Sequence, residues 1–69
     1  MSDSVFKKIE LTGTSNKSAD DAIQTAISKA AETVRNMRWF EVVEIRGTVD
    51  DDKVGQWQVT LKVGFKLED

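Results

Sequence analysis

From Trp57 to Leu67 the chain alternates without a break. Trp57, Val59, Leu61, Val63, Phe65 and Leu67 are apolar, while Gln58, Thr60, Lys62, Gly64 and Lys66 hold the positions between them. Successive strand residues point to opposite sides of a sheet, so a period of two marks a strand with one buried face. A helix would scatter the same residues around its circumference. The run is longer than the usual strand of ~5–6 residues, which predicts a central strand paired on both edges. Everything upstream has to be arranged around it.

Two further strands and one helix are legible. Val5 to Leu11 reads as a strand because Val5, Ile9 and Leu11 share one parity and Lys8 and Glu10 the other, with Phe6 and Lys7 breaking the pattern. Gly13 to Lys17 reads as a polar loop in which Gly13 is expected to supply a positive φ. Ser18 followed by Asp21 resembles a capping box, and Asp20 and Asp21 suit a helix N-terminus. Ile23, Ile27, Ala30, Val34 and Met37 recur at spacings of four and three, a narrow apolar stripe flanked by Ala26 and Ala31. Lys29, Arg35 and Arg38 suit its C-terminal end.

Arg38 to Val49 is rich in β-branched and aromatic residues and predicts the second strand. Strict alternation places Trp39, Val43, Ile45 and Val49 on one face and Phe40 and Val42 on the other, so both faces ask for cover. Asp50 to Lys53 reads as a hairpin turn. It lacks the bidentate closing ligand and glycine spacing of an EF-hand, so no metal is assigned. The order is β-α-β-β. A right-handed crossover makes the first two strands parallel, and the hairpin returns the third between them. The fold class is α+β, an antiparallel three-stranded sheet of order 1-3-2 with one helix across a face.

Sixty-nine residues make one domain, 1–69, and a small one. Chains of this size often depend on disulfides, metals or oligomerisation. Cys and His are both absent, which leaves oligomerisation as the expected support. Their absence also removes the Ser-His triad, the thiolate nucleophile, the Cys/His zinc site and the imidazole base, so the chain is not read as an enzyme. Ten basic against twelve acidic residues, with no basic block, argue against nucleic acid. Met1-Ser2-Asp3-Ser4 carries no signal-peptide features and no run approaches a membrane span, so a soluble cytoplasmic protein is expected.

Three kinds of side chain stand out as candidates. Trp39, at the junction of helix and second strand, is either a core or interface residue or a stacking platform for a planar ligand. Gln58, on the polar parity of the long strand, is either solvent-facing or matched to the donor and acceptor edge of a heterocycle. Arg46 and Lys66 are surface cations that can also hold a phosphate.

Val5-Phe6-Lys7-Lys8-Ile9-Glu10-Leu11-Thr12-Gly13-Thr14-Ser15, the stretch from Thr33 through Arg38-Trp39-Phe40-Glu41 to Glu44, and Trp57-Gln58-Val59 through Gly64-Phe65-Lys66-Leu67 together resemble the dodecin family over nearly the whole chain. The resemblance implies a small flavin-binding protein assembled as a hollow homo-dodecamer with cubic symmetry. It implies flavins held in pairs near two-fold axes between tryptophans matching Trp39, with Gln58 bonding the isoalloxazine edge. Glu44 and Arg46 match positions near the ribityl chain and phosphate. Glu at 44, where archaeal members more often carry Asp, and a basic residue at 46 as in bacterial members, favour FMN over riboflavin. Trp57 stands where Tyr is frequent. Some bacterial members also bind coenzyme A. The implied function is flavin storage, buffering and photoprotection. The alternatives are a flavin-dependent reductase and a structural oligomer subunit.

Overall fold

The computed structural model describes residues 3–68; Met1, Ser2 and Asp69, which the single-domain reading includes, lie outside the described residues. The elements run β1 (Phe6–Ser15), α1 (Ala19–Ala30), β2 (Met37–Asp50) and β3 (Lys53–Lys66). β3 is central and antiparallel to both neighbours in the order β1-β3-β2, as the sequence predicts.

The boundaries differ, and each difference has a local cause. β1 does not end at Leu11: Gly13, Thr14 and Ser15 continue the ladder opposite Val59, Gln58 and Trp57. None of the described glycines has a positive φ, so Gly13 is not a turn residue. It is a spacing residue, because a Cβ there would run into the Ala22 carbonyl oxygen and lie 2.9 Å from the Ala26 Cβ. β3 likewise starts at Lys53, before the clean alternation begins. Asp51 and Asp52, with φ of 51° and 63°, form the two-residue turn between Asp50 and Lys53. Positive φ at both central positions is the geometry whose twist matches the flanking strands.

Close approach at Gly13 decides which side of α1 is buried. Ala22, Ala26 and Ala30 lie at its centre, with Ile23 and Ile27 only partly covered. The helix is shorter than the apolar stripe suggests, since Val34 follows its end and Met37 opens β2. Its last carbonyls are closed by Ala31 N–H to Ile27 (2.9 Å) and Val34 N–H to Ala30 (2.8 Å), and the Arg35 guanidinium donates to Ala31 at 3.1 Å. Asn36 then takes φ 65° and turns the chain back to the sheet. At the other end the Ser18 hydroxyl accepts from Asp21 N–H at 3.0 Å. The Asp21 carboxylate is one methylene shorter than the usual Glu of a capping box, and it accepts from the buried Ser15 hydroxyl at 2.7 Å. Ser15 in turn accepts from Lys17 N–H at 2.9 Å, which ties the end of β1 to the start of α1.

Val59, Leu61 and Val63 of β3 are fully buried under this helix, with Ile9 and Leu11 packed beside them. Each such side chain contributes roughly 1.5–3 kcal/mol. The helix lies mainly on β1 and β3, and among the described residues Met37 is the one residue of β2 packed against this core.

β2 also departs from strict alternation. Its pairing with β3 shifts between Met37 and Trp39 and again between Val42 and Glu44, so Arg38 and Val43 are extra residues. A bulge of this kind sets two residues against one and reverses the parity beyond it. Ile45 therefore joins Phe40 and Val42 on the helix side, opposite Val59, Val63 and Leu61, and Trp39 is on the other face. Phe40, Val42 and Ile45 are 46%, 43% and 54% exposed, so the uncovered apolar surface is the helix-side face of β2. The radius of gyration is 14.4 Å, against about 11 Å expected for a compact chain of this length.

Candidate functional site

The two bulges put every predicted site residue on the sheet face opposite the helix. Across from β3, Trp39 pairs with Gly64, Glu41 with Lys62, Glu44 with Thr60 and Arg46 with Gln58. Directly opposed residues share a face. Without the bulge at Val43, Glu44 and Arg46 would point to the helix side.

The Trp39 indole lies flat over Gly64, where a Cβ would collide with its six-membered ring. The Phe6 ring meets it edge-on, with centroids 5.2 Å apart and planes at 62°. Trp39 stays 41% exposed. Beside it, Lys8 of β1 reaches across β3 to Glu41 of β2 with Nζ 2.8 Å from Oε1. The Lys8 ammonium, by its hydrogen bond first and its charge second, holds the Glu41 carboxyl below the usual carboxylate range, and the Trp39 indole N–H and Lys62 act in the same direction.

At the other end of the face the Arg46 Nε donates to Gln58 Oε1 at 2.9 Å, and Gln58 Nε2 donates to Gln56 Oε1 at 3.3 Å. Glu44 Oε1 is 3.8 Å from the Arg46 Nη1. Thus Glu44, Arg46 and Gln58 form one polar group. Trp39 does not join it. Gly64 and Gln58, the β3 partners of Trp39 and Arg46, are six residues apart, about 20 Å at the ~3.4 Å rise of an antiparallel strand. Lys66 lies toward the Trp39 end, opposite Phe6.

Phe6, Gly64, Glu41, Lys8 and Gln56 were not singled out by sequence reasoning. Two of them left a signal. Gly64 interrupts a polar row in a strand interior, where glycine often marks close approach by another group. Phe6 breaks the alternation of the first strand because it belongs to the Trp39 face.

An exposed indole on a fixed floor can stack on a planar ring. The Gln58 amide keeps one N–H and one oxygen lone pair free for a heterocycle edge. Among the described residues no helix is long and apolar enough to cross a membrane.

Comparison with known proteins assigns the fold. The Dodecin family model matches residues 5–68. The chain is 51% identical over 65 residues to Dodecin from Thermus thermophilus, covering 94% of both chains. It is 43% identical to the solved structure of dodecin from Streptomyces davaonensis, with a TM-score of 0.93 and coverage of 99% of this chain and 100% of that one. It is also 33% identical over 64 residues to Calcium dodecin from Mycobacterium tuberculosis, covering 93% of this chain and 90% of that protein. With a family match over nearly its whole length and the same three-stranded sheet on one helix, the chain belongs to the dodecin family.

Proposed function

We propose that this protein binds a flavin, FMN or riboflavin, as a store and buffer that also protects the cofactor from light. The observation that carries this reading is the half-exposed Trp39 indole seated on Gly64, on the same sheet face as Gln58, Arg46 and Glu44. Because Trp39 and Gln58 are about 20 Å apart along β3, one tricyclic ring cannot touch both within a chain. The site is therefore shared: Trp39 of one copy supplies the stacking face and Gln58 of another the hydrogen-bonding edge. That requirement agrees with the uncovered apolar face of β2, and the assembly proposed is the homo-dodecamer.

A bound flavin would supply a ring that absorbs visible light and accepts electrons. Trp39, stacked on such a ring, would be an electron-rich neighbour able to quench its excited state. No proton transfer is required. The calcium in the name of the M. tuberculosis relative is said of that protein alone.

Titration of riboflavin with the purified protein tests the reading. Fluorescence is expected to collapse on binding, and Trp39→Ala is expected to weaken binding severely while the assembly persists. Unquenched riboflavin at saturating protein would overturn it and leave a structural oligomer subunit.

A further inference from the structure

On the sheet face opposite the helix, Gly64 stands between two residues directly opposed to it, Lys8 on β1 and Trp39 on β2. Directly opposed residues share a face. The indole lies over this glycine, so Lys8 leaves its strand beside the ring, while the Phe6 ring meets the indole edge-on. A lysine so placed has two kinds of partner in reach. One is the outer face of the indole, the aromatic ring that attracts an ammonium most strongly. The other is a carboxylate.

Lys8 takes the carboxylate. Its Nζ lies 2.8 Å from Glu41 Oε1, across β3, and the indole stays 41% exposed. Lys62, opposite Glu41, also has Glu10 opposite it on β1, and Lys66 is opposite Phe6. Lys8 is therefore the cation set against the floor of the ring. Without the Glu41 charge its ammonium would settle on the indole, in the place that a planar ligand has to occupy. A stacking ligand would then have to displace it, at a loss of about two- to fivefold in affinity.

We propose that Glu41 is a positioning residue: it holds the Lys8 ammonium aside and keeps the outer face of Trp39 open to a planar ligand. Glu41 acts through Lys8 and needs no contact with the ligand in this role. The inference rests on the flavin reading above and adds to it the device that keeps the stacking surface free.

A double-mutant cycle tests it, because the effect of Glu41 is predicted to exist only where Lys8 is present. Riboflavin, which carries no phosphate to respond to the altered charge, is titrated against the assembled proteins by fluorescence quenching. Glu41→Gln keeps the shape of the side chain and removes its charge. It is expected to weaken binding about two- to fivefold in the presence of Lys8 and by less than about twofold in a Lys8→Met background. Equal effects in the two backgrounds overturn the proposal. The second readout is NMR of the ligand-free protein carrying isotope-labelled lysine, with the Lys8 signal assigned by its loss in Lys8→Met. In Glu41→Gln the Lys8 Hε protons are expected to move upfield under the ring current of the indole. Protons that keep their wild-type shift would show that Lys8 does not cover the ring, and would overturn the proposal as well. Absence of quenching by wild type overturns the flavin reading instead, and the NMR comparison, which uses no flavin, keeps the two failures distinct.

Discussion

The indole of Trp39 takes the space that a side chain on Gly64 would fill. The two residues are opposed across the β2–β3 ladder, so the glycine is the floor on which the ring lies. With Phe6 at its edge, the ring is held flat against the sheet with its outer face free.

Gly64→Ala should therefore act through Trp39. The Gly64 backbone has no positive φ to strain, so the fold should tolerate a methyl group and the indole should not. Lifting the ring removes the stacking geometry, worth ~0.5–1.5 kcal/mol beyond area burial. Flavin affinity is expected to fall by up to about tenfold with assembly retained. Titration beside native mass measurement checks both parts.

Gly13→Ala should act on stability instead. Its methyl meets the Ala22 backbone carbonyl and the Ala26 Cβ, neither of which can rotate aside. Overpacking of this kind costs typically ~1–3 kcal/mol. A lower melting temperature at matched protein concentration is expected; an unchanged one would mean that α1 shifts away from β1 without cost.

The bridge between Lys8 and Glu41 gives a pH signature. Glu41 titrates lower in the folded protein than in the unfolded chain, so the folded state binds fewer protons in that window. Its contribution is present above the ordinary carboxylate range and is lost as pH falls through the depressed folded value. Lys8→Met should raise the Glu41 titration midpoint, as followed by carboxyl NMR. Both groups are exposed and the effect on stability should be small and weakened by salt. An unmoved midpoint would show that Lys8 is not the cause of the shift.

Assembly should depend on β2. Phe40, Val42 and Ile45 form an apolar row that α1 does not cover. Ile45→Lys places a charge at one end of it. Sedimentation is expected to show smaller species than wild type. A variant that sediments like wild type would place the subunit contacts elsewhere.

How much of this was legible in the sequence follows from which interactions are local. The period-two run of β3, the helix start at Ser18 and the turn at Asp51 and Asp52 depend on neighbouring residues, and the sequence shows each of them. The sheet order followed from connection rules. The faces of β2 did not, because the bulges at Arg38 and Val43 are set by pairing with β3 and leave no periodic mark. Hence strict alternation groups Ile45 with Trp39, although the two lie on opposite faces. The polarity of the group around Gln58 was likewise invisible, since Arg46 and Gln58 meet only through that same pairing. The helix end was overrun because Val34 and Met37 continue the apolar spacing, while Asn36 turns the chain.

The last prediction separates a store from a reductase. A reductase needs one flavin face open, so that a nicotinamide can approach to the ~3–3.5 Å of a near-attack geometry. The family resemblance implies flavins paired between tryptophans, so in the proposed site Trp39 would cover one face of the ring and a second ring the other. The sequence contains no His or Cys to move protons nearby, so any reactivity would fall to the cofactor and carboxylates. In the dark, NADH or NADPH added to the flavin-loaded protein should be oxidised no faster than with free flavin. Under illumination the bound flavin should degrade more slowly than free flavin, and Trp39→Phe, a poorer electron donor of similar shape, should lose part of that protection. Saturable nicotinamide oxidation that scales with protein concentration would instead mean that a flavin face is open, and the reductase would replace the store.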